Sequence, residues 1–284
     1  MTTARVWFIT GASRGLGRAF AEAALAAGDR VVAVARTAPA LEALAAEHGD
    51  RVLALPVDIT DRAAVRDAVD RAVRHFGRLD VVVNNAGYLA MGMVEEFDED
   101  GARAQFDTNF FGALWVSQAV LPTLRAQGRG HIVQISSIGA LAGFASTGLY
   151  SASKFALEGM SEALAAEVAD FGVKVTIVQP GGYWTDLYTK GLATTEPIDA
   201  YAPLRARLAE QFAEGSVDSL PHLAAEAVLK LVDSDRPPLR LLLGSAAYDI
   251  AFDVTRQRMA TWAEWEETSR AAEHPVPAPE GYGS

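Results

Sequence analysis

The chain has 284 residues, half of them hydrophobic, and its 36 acidic against 25 basic side chains give a net charge of −11. This length suits one α/β domain with a substantial core, and the acidic balance without a dense basic block disfavours nucleic acid as a partner. The lack of cysteine excludes disulfides and thiol chemistry, and no apolar run is long enough to cross a bilayer. The opening MTTARVWFIT shows no signal-peptide pattern, so a cytoplasmic protein with no membrane role is expected.

Apolar, β-branched runs recur at 5–10, 30–35, 51–57, 80–85, 131–136, 173–178 and 239–243. They lack the polar alternation of a half-exposed strand, so each is predicted to be a strand buried on both faces. Ala-rich stretches with helical spacing lie between them, at 15–27, 61–76, 102–126 and 151–170 among others. Strand and helix alternating in this way predict an α/β fold, a doubly wound parallel sheet of about seven strands. No linker or repeat divides the chain, so a single domain over 1–284 is expected. Residues 186–215 read as a polar, helix-prone insertion, and 245–284 as a C-terminal arm that is irregular from 271. Within that arm Phe252, Met259, Trp262 and Trp265 fit one apolar helix face, expected to serve the core or a subunit contact.

Ligands of such sheets sit at the carboxyl ends of the strands, which makes the residues ending each run informative. The first run ends in TGASRGLG, where Gly11, Gly15 and Gly17 let bare backbone approach a pyrophosphate at a helix N-terminus. Their spacing is GxxxGxG rather than GxGxxG, and a tight turn alone would also explain them. The second run ends at Ala35, followed by Arg36 and Thr37, where NAD-binding folds commonly carry an acidic residue. Arg36, with Arg14 from the glycine turn, suits the 2′-phosphate of NADP. Asp58, followed by Ile59, could accept from an adenine amino group or equally cap the helix starting near Asp61. Asn84 and Asn85, in NNAG with Ala86 and Gly87, could tie strand ends together or simply form a turn. The five histidines show no metal-ligand spacing, and no metal is expected.

TGASRGLG (10–17), NNAG (84–87), ISS (135–137), YSASK (150–154) and PG (180–181) stand in the order and spacing of the classical short-chain dehydrogenases/reductases, which residues 4–186 resemble. The resemblance implies a Rossmann-type domain and a nicotinamide-dependent oxidoreductase. The family's catalytic Asn, Ser, Tyr and Lys fall on Asn109, Ser137, Tyr150 and Lys154. Ser137 is preferred to Ser136 because the family interval to the tyrosine is thirteen positions (150 − 137). The cofactor would lie against Gly11, Ser13, Arg14, Gly15, Leu16, Gly17, Arg36, Thr37, Asp58, Ile59, Asn85, Ala86 and Gly87, with Tyr150, Lys154, Pro180, Gly181, Tyr183 and Thr185 near the nicotinamide.

Positions 150 and 154 share a helix face, so the ammonium is expected to lower the tyrosine pKa and ready it for acid–base work. Without its companions, such a pair is more often a packing or surface pair. Ser137 would donate to the carbonyl oxygen, Lys154 would hold the nicotinamide ribose, and Asn109 would hold a relay water. Apolar residues such as Leu141, Phe144, Trp184 and Tyr188 are expected to line the substrate pocket. These features predict an NADP(H)-dependent enzyme interconverting an apolar ketone and a secondary alcohol. NAD(H) and a non-catalytic nucleotide-binding regulator are the alternatives. The family pairs the helices near 102–126 and 150–171 between subunits, so a homodimer or homotetramer is expected.

Overall fold

The computed structural model describes residues 4–213, 218–274, 276–277 and 280–281. The expected ends of the insertion and of the C-terminal arm, at 215 and 284, lie outside the described residues. All seven expected strands form: β1 (Val6–Thr10), β2 (Arg30–Ala35), β3 (Val52–Pro56), β4 (Val81–Asn84), β6 (Gly130–Ile135), β7 (Val173–Pro180) and β9 (Arg240–Leu243). They make one sheet in the order β3-β2-β1-β4-β6-β7-β9, and every neighbouring pair is parallel.

Unbroken apolar strands need cover on both faces, and the helices supply it. Trp7 and Ile9 of β1 face one layer, built from α1 (Gly15–Ala26), α2 (Ala38–His48) and α8 (Pro221–Val232). Val6 and Phe8 face the other layer, built from α3 (Arg62–Phe76), α5 (Gly112–Gln127) and α6 (Gly148–Val168). Strand order reverses between β1 and β4, which opens a crevice at their carboxyl ends.

Several elements depart from the expected ones. Helix α2 lies outside the helical segments named from spacing, because Leu41 and Leu44 are all that it buries. The helix expected at 102–126 starts earlier, as α4 (Glu99–Phe106), and passes through a π-helical turn at Asp107–Phe111 before α5. The insertion holds β8 (Leu192–Thr194), which pairs with β5 (Leu89–Met91) as a small parallel sheet, and α7 (Ala202–Ala213). Three-residue strands are too short to show periodicity. The arm contains α9 (Ser245–Glu264) and α10 (Glu266–Ala271). Its apolar face is not core: Phe252, Met259, Trp262 and Trp265 are all exposed. No described helix is long and apolar enough to cross a membrane.

His131, at the end of β6 remote from the crevice, is buried with Nε2 2.9 Å from Thr176 Oγ1. Burial, with Lys174 nearby, pushes its pKa down to about 4 from an ordinary 6.5. The folded state therefore excludes a proton that the unfolded chain binds between these values. Its stabilisation is complete above pH 6.5 and is lost as pH falls towards 4, a drop of about 3 kcal/mol. Urea unfolding of wild type and His131→Gln at pH 7.5 and 4.5 checks this. The variant should lose markedly less stability between the two pH values, and equal losses would refute the assignment.

Candidate active site

The chain leaves β1 through Gly11 at φ +68° and enters α1 at Gly15, φ +55°. Both values lie in the left-handed region that glycine tolerates best. At Gly17 the constraint is space: a Cβ there would stand 2.2 Å from Gly11 O and 2.4 Å from Asn85 Nδ2. Arg14 occupies the N-cap of α1 without any side-chain hydrogen bond to the helix, so the first-turn N–H groups are left to a ligand. Bare backbone and an uncapped helix start fit a pyrophosphate. Ser13 and Leu16 are half-buried on the same turn.

Thr10 and Asn85 lock this turn to the end of β4. Thr10 Oγ1 accepts from the N–H groups of Asn85 and Ala86 at 3.0 Å each, and Asn85 Nδ2 donates to Thr10 O at 2.9 Å. Asn84 instead points into the core and donates to Ser117 Oγ at 3.1 Å. Of the two readings of NNAG, tying strand ends together describes Asn85. Thr10 is absent from the expected site residues, although its place as the last residue of β1 is visible in the sequence.

The other candidates divide. Arg36 follows β2, is exposed, and makes no hydrogen bond or ion pair among the described residues. Thr37 is exposed at the N-cap of α2 and makes no side-chain capping bond. Arg14 is also exposed, but its Nη2 donates to Lys190 O at 3.2 Å, which ties it to the insertion. Asp58 accepts from Thr60 N at 3.0 Å and Thr60 Oγ1 at 2.9 Å, and it is Asp61 that caps α3. Ile59 is buried against α5, where a Cβ on Gly112 would meet its Cδ1 at 2.4 Å. Pro180 closes β7, and Gly181 N bonds Leu243 O at 2.9 Å. The Tyr183 ring is buried in the core with Ala224 and Leu243, so this residue offers the crevice its backbone rather than its phenol. Thr185 reaches the glycine turn, its Cβ 3.4 Å from where a Cβ on Gly15 would lie.

Tyr150, Ser137, Lys154 and Asn109 converge at the ends of β4 and β6. Ser137 begins the turn Ile138–Ala140, its Oγ accepting from Gly139 N at 3.0 Å. A Cβ on Gly139 would press to 3.1 Å from Tyr150 Cε1 and 3.4 Å from Ser137 Oγ, so a glycine there lets the phenol and the hydroxyl meet. Ser136 faces the other way and donates to Glu158 Oε1 at 2.5 Å. Lys154 is buried, with Nζ 2.9 Å from Ile135 O and 5.8 Å from the Tyr150 ring centre. Asn109 sits in the π-helical turn, a feature common at functional sites. Its Oδ1 accepts from Tyr88 N at 3.1 Å, and its Nδ2 donates to Tyr88 O at 3.0 Å and Ser153 Oγ at 3.2 Å. The side chain thus braces the NNAG segment against α6.

The electrostatics correct one expectation. Burial raises the Tyr150 pKa to about 12, the Ser137 hydroxyl lowers it in part, and the nearby Tyr188 phenol raises it. Lys154 falls to about 8, again through burial, with Glu158 opposing. The ammonium does not depress the tyrosine, because it is turned to the Ile135 carbonyl and desolvation penalises the phenolate more strongly. The shift favours the protonated phenol at Tyr150.

A glycine turn, a helix start open to anions and a crevice at the switch point define a Rossmann-type dinucleotide-binding fold. The short chain dehydrogenase family profile matches residues 5–195. Oxidoreductase BOA17 of Botryotinia fuckeliana is 42% identical over 94% of this chain and 99% of its own. A crystal structure of a short-chain dehydrogenase from Streptomyces avermitilis superposes with a TM-score of 0.88 at 41% identity, covering 96% and 100% of the two chains. One from Burkholderia cenocepacia, in complex with NADP, gives 0.73 at 30% identity over 92% and 97%. The chain belongs to the short-chain dehydrogenase/reductase family of oxidoreductases.

Proposed function

We propose that this protein is a cytoplasmic, NADP(H)-dependent oxidoreductase that interconverts an apolar ketone and a secondary alcohol. The observation that carries this reading is the convergence of four side chains on the crevice: the Tyr150 ring and Ser137 Oγ both lie against Gly139, with Lys154 and Asn109 fixed behind them. The glycine turn would hold the pyrophosphate and Arg36 the 2′-phosphate, while Lys154 and Thr185 face the nicotinamide half. The NADP complex of the Burkholderia relative supports the choice of cofactor. Bound there, dihydronicotinamide supplies hydride.

The chain's own residues handle the proton. Ser137 donates a hydrogen bond to the substrate carbonyl oxygen and stabilises charge growing there. Tyr150 gives that oxygen its proton, and the Ser137 hydroxyl, which lowers the tyrosine pKa in part, then favours the phenolate left behind. Asn109 holds α6 against the NNAG segment, so that the two halves keep their spacing. Exposed Phe144, Trp184 and Tyr188 suit an apolar substrate better than a phosphorylated one.

A panel of apolar ketones and alcohols with NADPH and NADP tests the reading, followed by absorbance at 340 nm in both directions. Turnover of at least one pair is expected. Binding of NADPH without turnover on the whole panel would favour a regulator instead.

A further inference from the structure

Helix α9 leaves the sheet beside the active-site crevice, where a Cβ on Gly181 would stand 3.8 Å from Ala247 Cβ. It is steadied midway by Arg258 Nη2, which donates to Leu141 O at 2.6 Å. Ala247 is its one buried residue, and every residue from Thr255 to the end of α10 is exposed. A helix takes most of its stability from burying a face against something, so a stretch this long with nothing buried calls for a cover.

The exposed side chains are ordered. Tyr248, Phe252, Thr255, Met259 and Trp262 follow one another at steps of 4, 3, 4 and 3 residues. At about 100° per residue they fall within an arc of roughly 80°. The first, second, fourth and fifth are 54%, 46%, 60% and 67% exposed. Tyr248 and Phe252 already touch, their ring centres 4.6 Å apart. At about 150–250 Å² per large side chain, these four expose roughly 350–550 Å² of mostly apolar surface. That is the size range of a monomer's largest patch, and it matches the apolar part of the ~800 Å² that each partner of a stable interface contributes.

Two properties of the stripe identify its cover. Its sizes read large, large, small, large, large about Thr255, so a two-fold axis there sets Tyr248 of one copy against Trp262 of the other. One edge of the stripe carries Asp249, Asp253 and Arg256, and the last two pair within the helix. The same axis brings Arg256 of each copy towards Asp253 of the other. Size and charge are therefore self-complementary about one residue, as an isologous contact requires. We infer that α9 pairs antiparallel with α9 of a second copy of this chain, about a two-fold axis at Thr255.

The cysteine-free sequence permits a direct test. Thr255→Cys places one thiol per chain on the axis, and Gln257→Cys places it about 200° round the helix. With a short bis-maleimide and micromolar full-length protein, Thr255→Cys should form a crosslinked dimer of twice 30.2 kDa and Gln257→Cys should not. Adding Met259→Glu should abolish the crosslink and lower the mass seen by light scattering, while NADPH binding and circular dichroism stay as in wild type. No crosslink at 255, or equal crosslinking at both positions, overturns the pairing. So does a crosslink and mass that survive Met259→Glu. A fluorophore on the thiol of the Thr255→Cys variant that shifts blue only on adding phosphatidylcholine vesicles also overturns it, in favour of a lipid surface.

Discussion

Replacing Tyr150 by phenylalanine is expected to lower turnover by about 10²–10⁴-fold, the usual loss when a general acid is removed. The substitution keeps the ring that packs against Gly139 and deletes only the hydroxyl that meets Ser137. Folding and NADPH affinity should therefore hold, and the whole effect should appear in the chemical step. With its pKa pushed up to about 12, Tyr150 stays protonated through the neutral range. Ketone reduction should accordingly vary little with pH there. On the proposed mechanism alcohol oxidation would begin with the phenol losing its proton, so it should accelerate as pH rises. Steady-state kinetics in both directions from pH 6 to 10, for wild type and variant, check this. Near-normal turnover by the variant on a confirmed substrate would remove Tyr150 from the mechanism.

Wild type is expected to prefer NADPH to NADH by at least about tenfold in kcat/KM, roughly 1.4 kcal/mol, and Arg36→Asp should reverse that preference. Arg36 is exposed and uncommitted where β2 delivers the chain to the crevice. A guanidinium grips a phosphate through two parallel charge-assisted bonds, each about twice as strong as a neutral one. An aspartate accepts from ribose hydroxyls and repels the phosphate. Arg14 already donates to Lys190 O, so Arg14→Ala should weaken the preference less than a change at Arg36. Measuring both cofactors on all three proteins decides it. A wild type favouring NADH, or an Arg36→Asp variant with unchanged preference, would defeat the argument.

The sequence alone determined the sheet, since strands buried on both faces are unbroken apolar runs, and all seven were legible. It also determined which residue types end those strands, because ligand chemistry there depends on glycines and polar groups at fixed places in the chain. Short elements escaped it: β5 and β8 exist only because residues about a hundred positions apart meet. Likewise, the family interval to Tyr150 points to Ser137 over Ser136, but only the fold shows the physical reason, which is that Ser136 turns to Glu158. The tyrosine's proton affinity is hidden from the sequence for a related reason. Helical spacing puts Lys154 near Tyr150, but burial and the Ile135 carbonyl decide where the charge goes and what it stabilises. The apolar stripe of α9 was visible as a pattern, and only the fold shows that this chain leaves it uncovered. Spacing along a chain encodes which side chains share a face, whereas desolvation and partner choice depend on what the rest of the molecule places against that face.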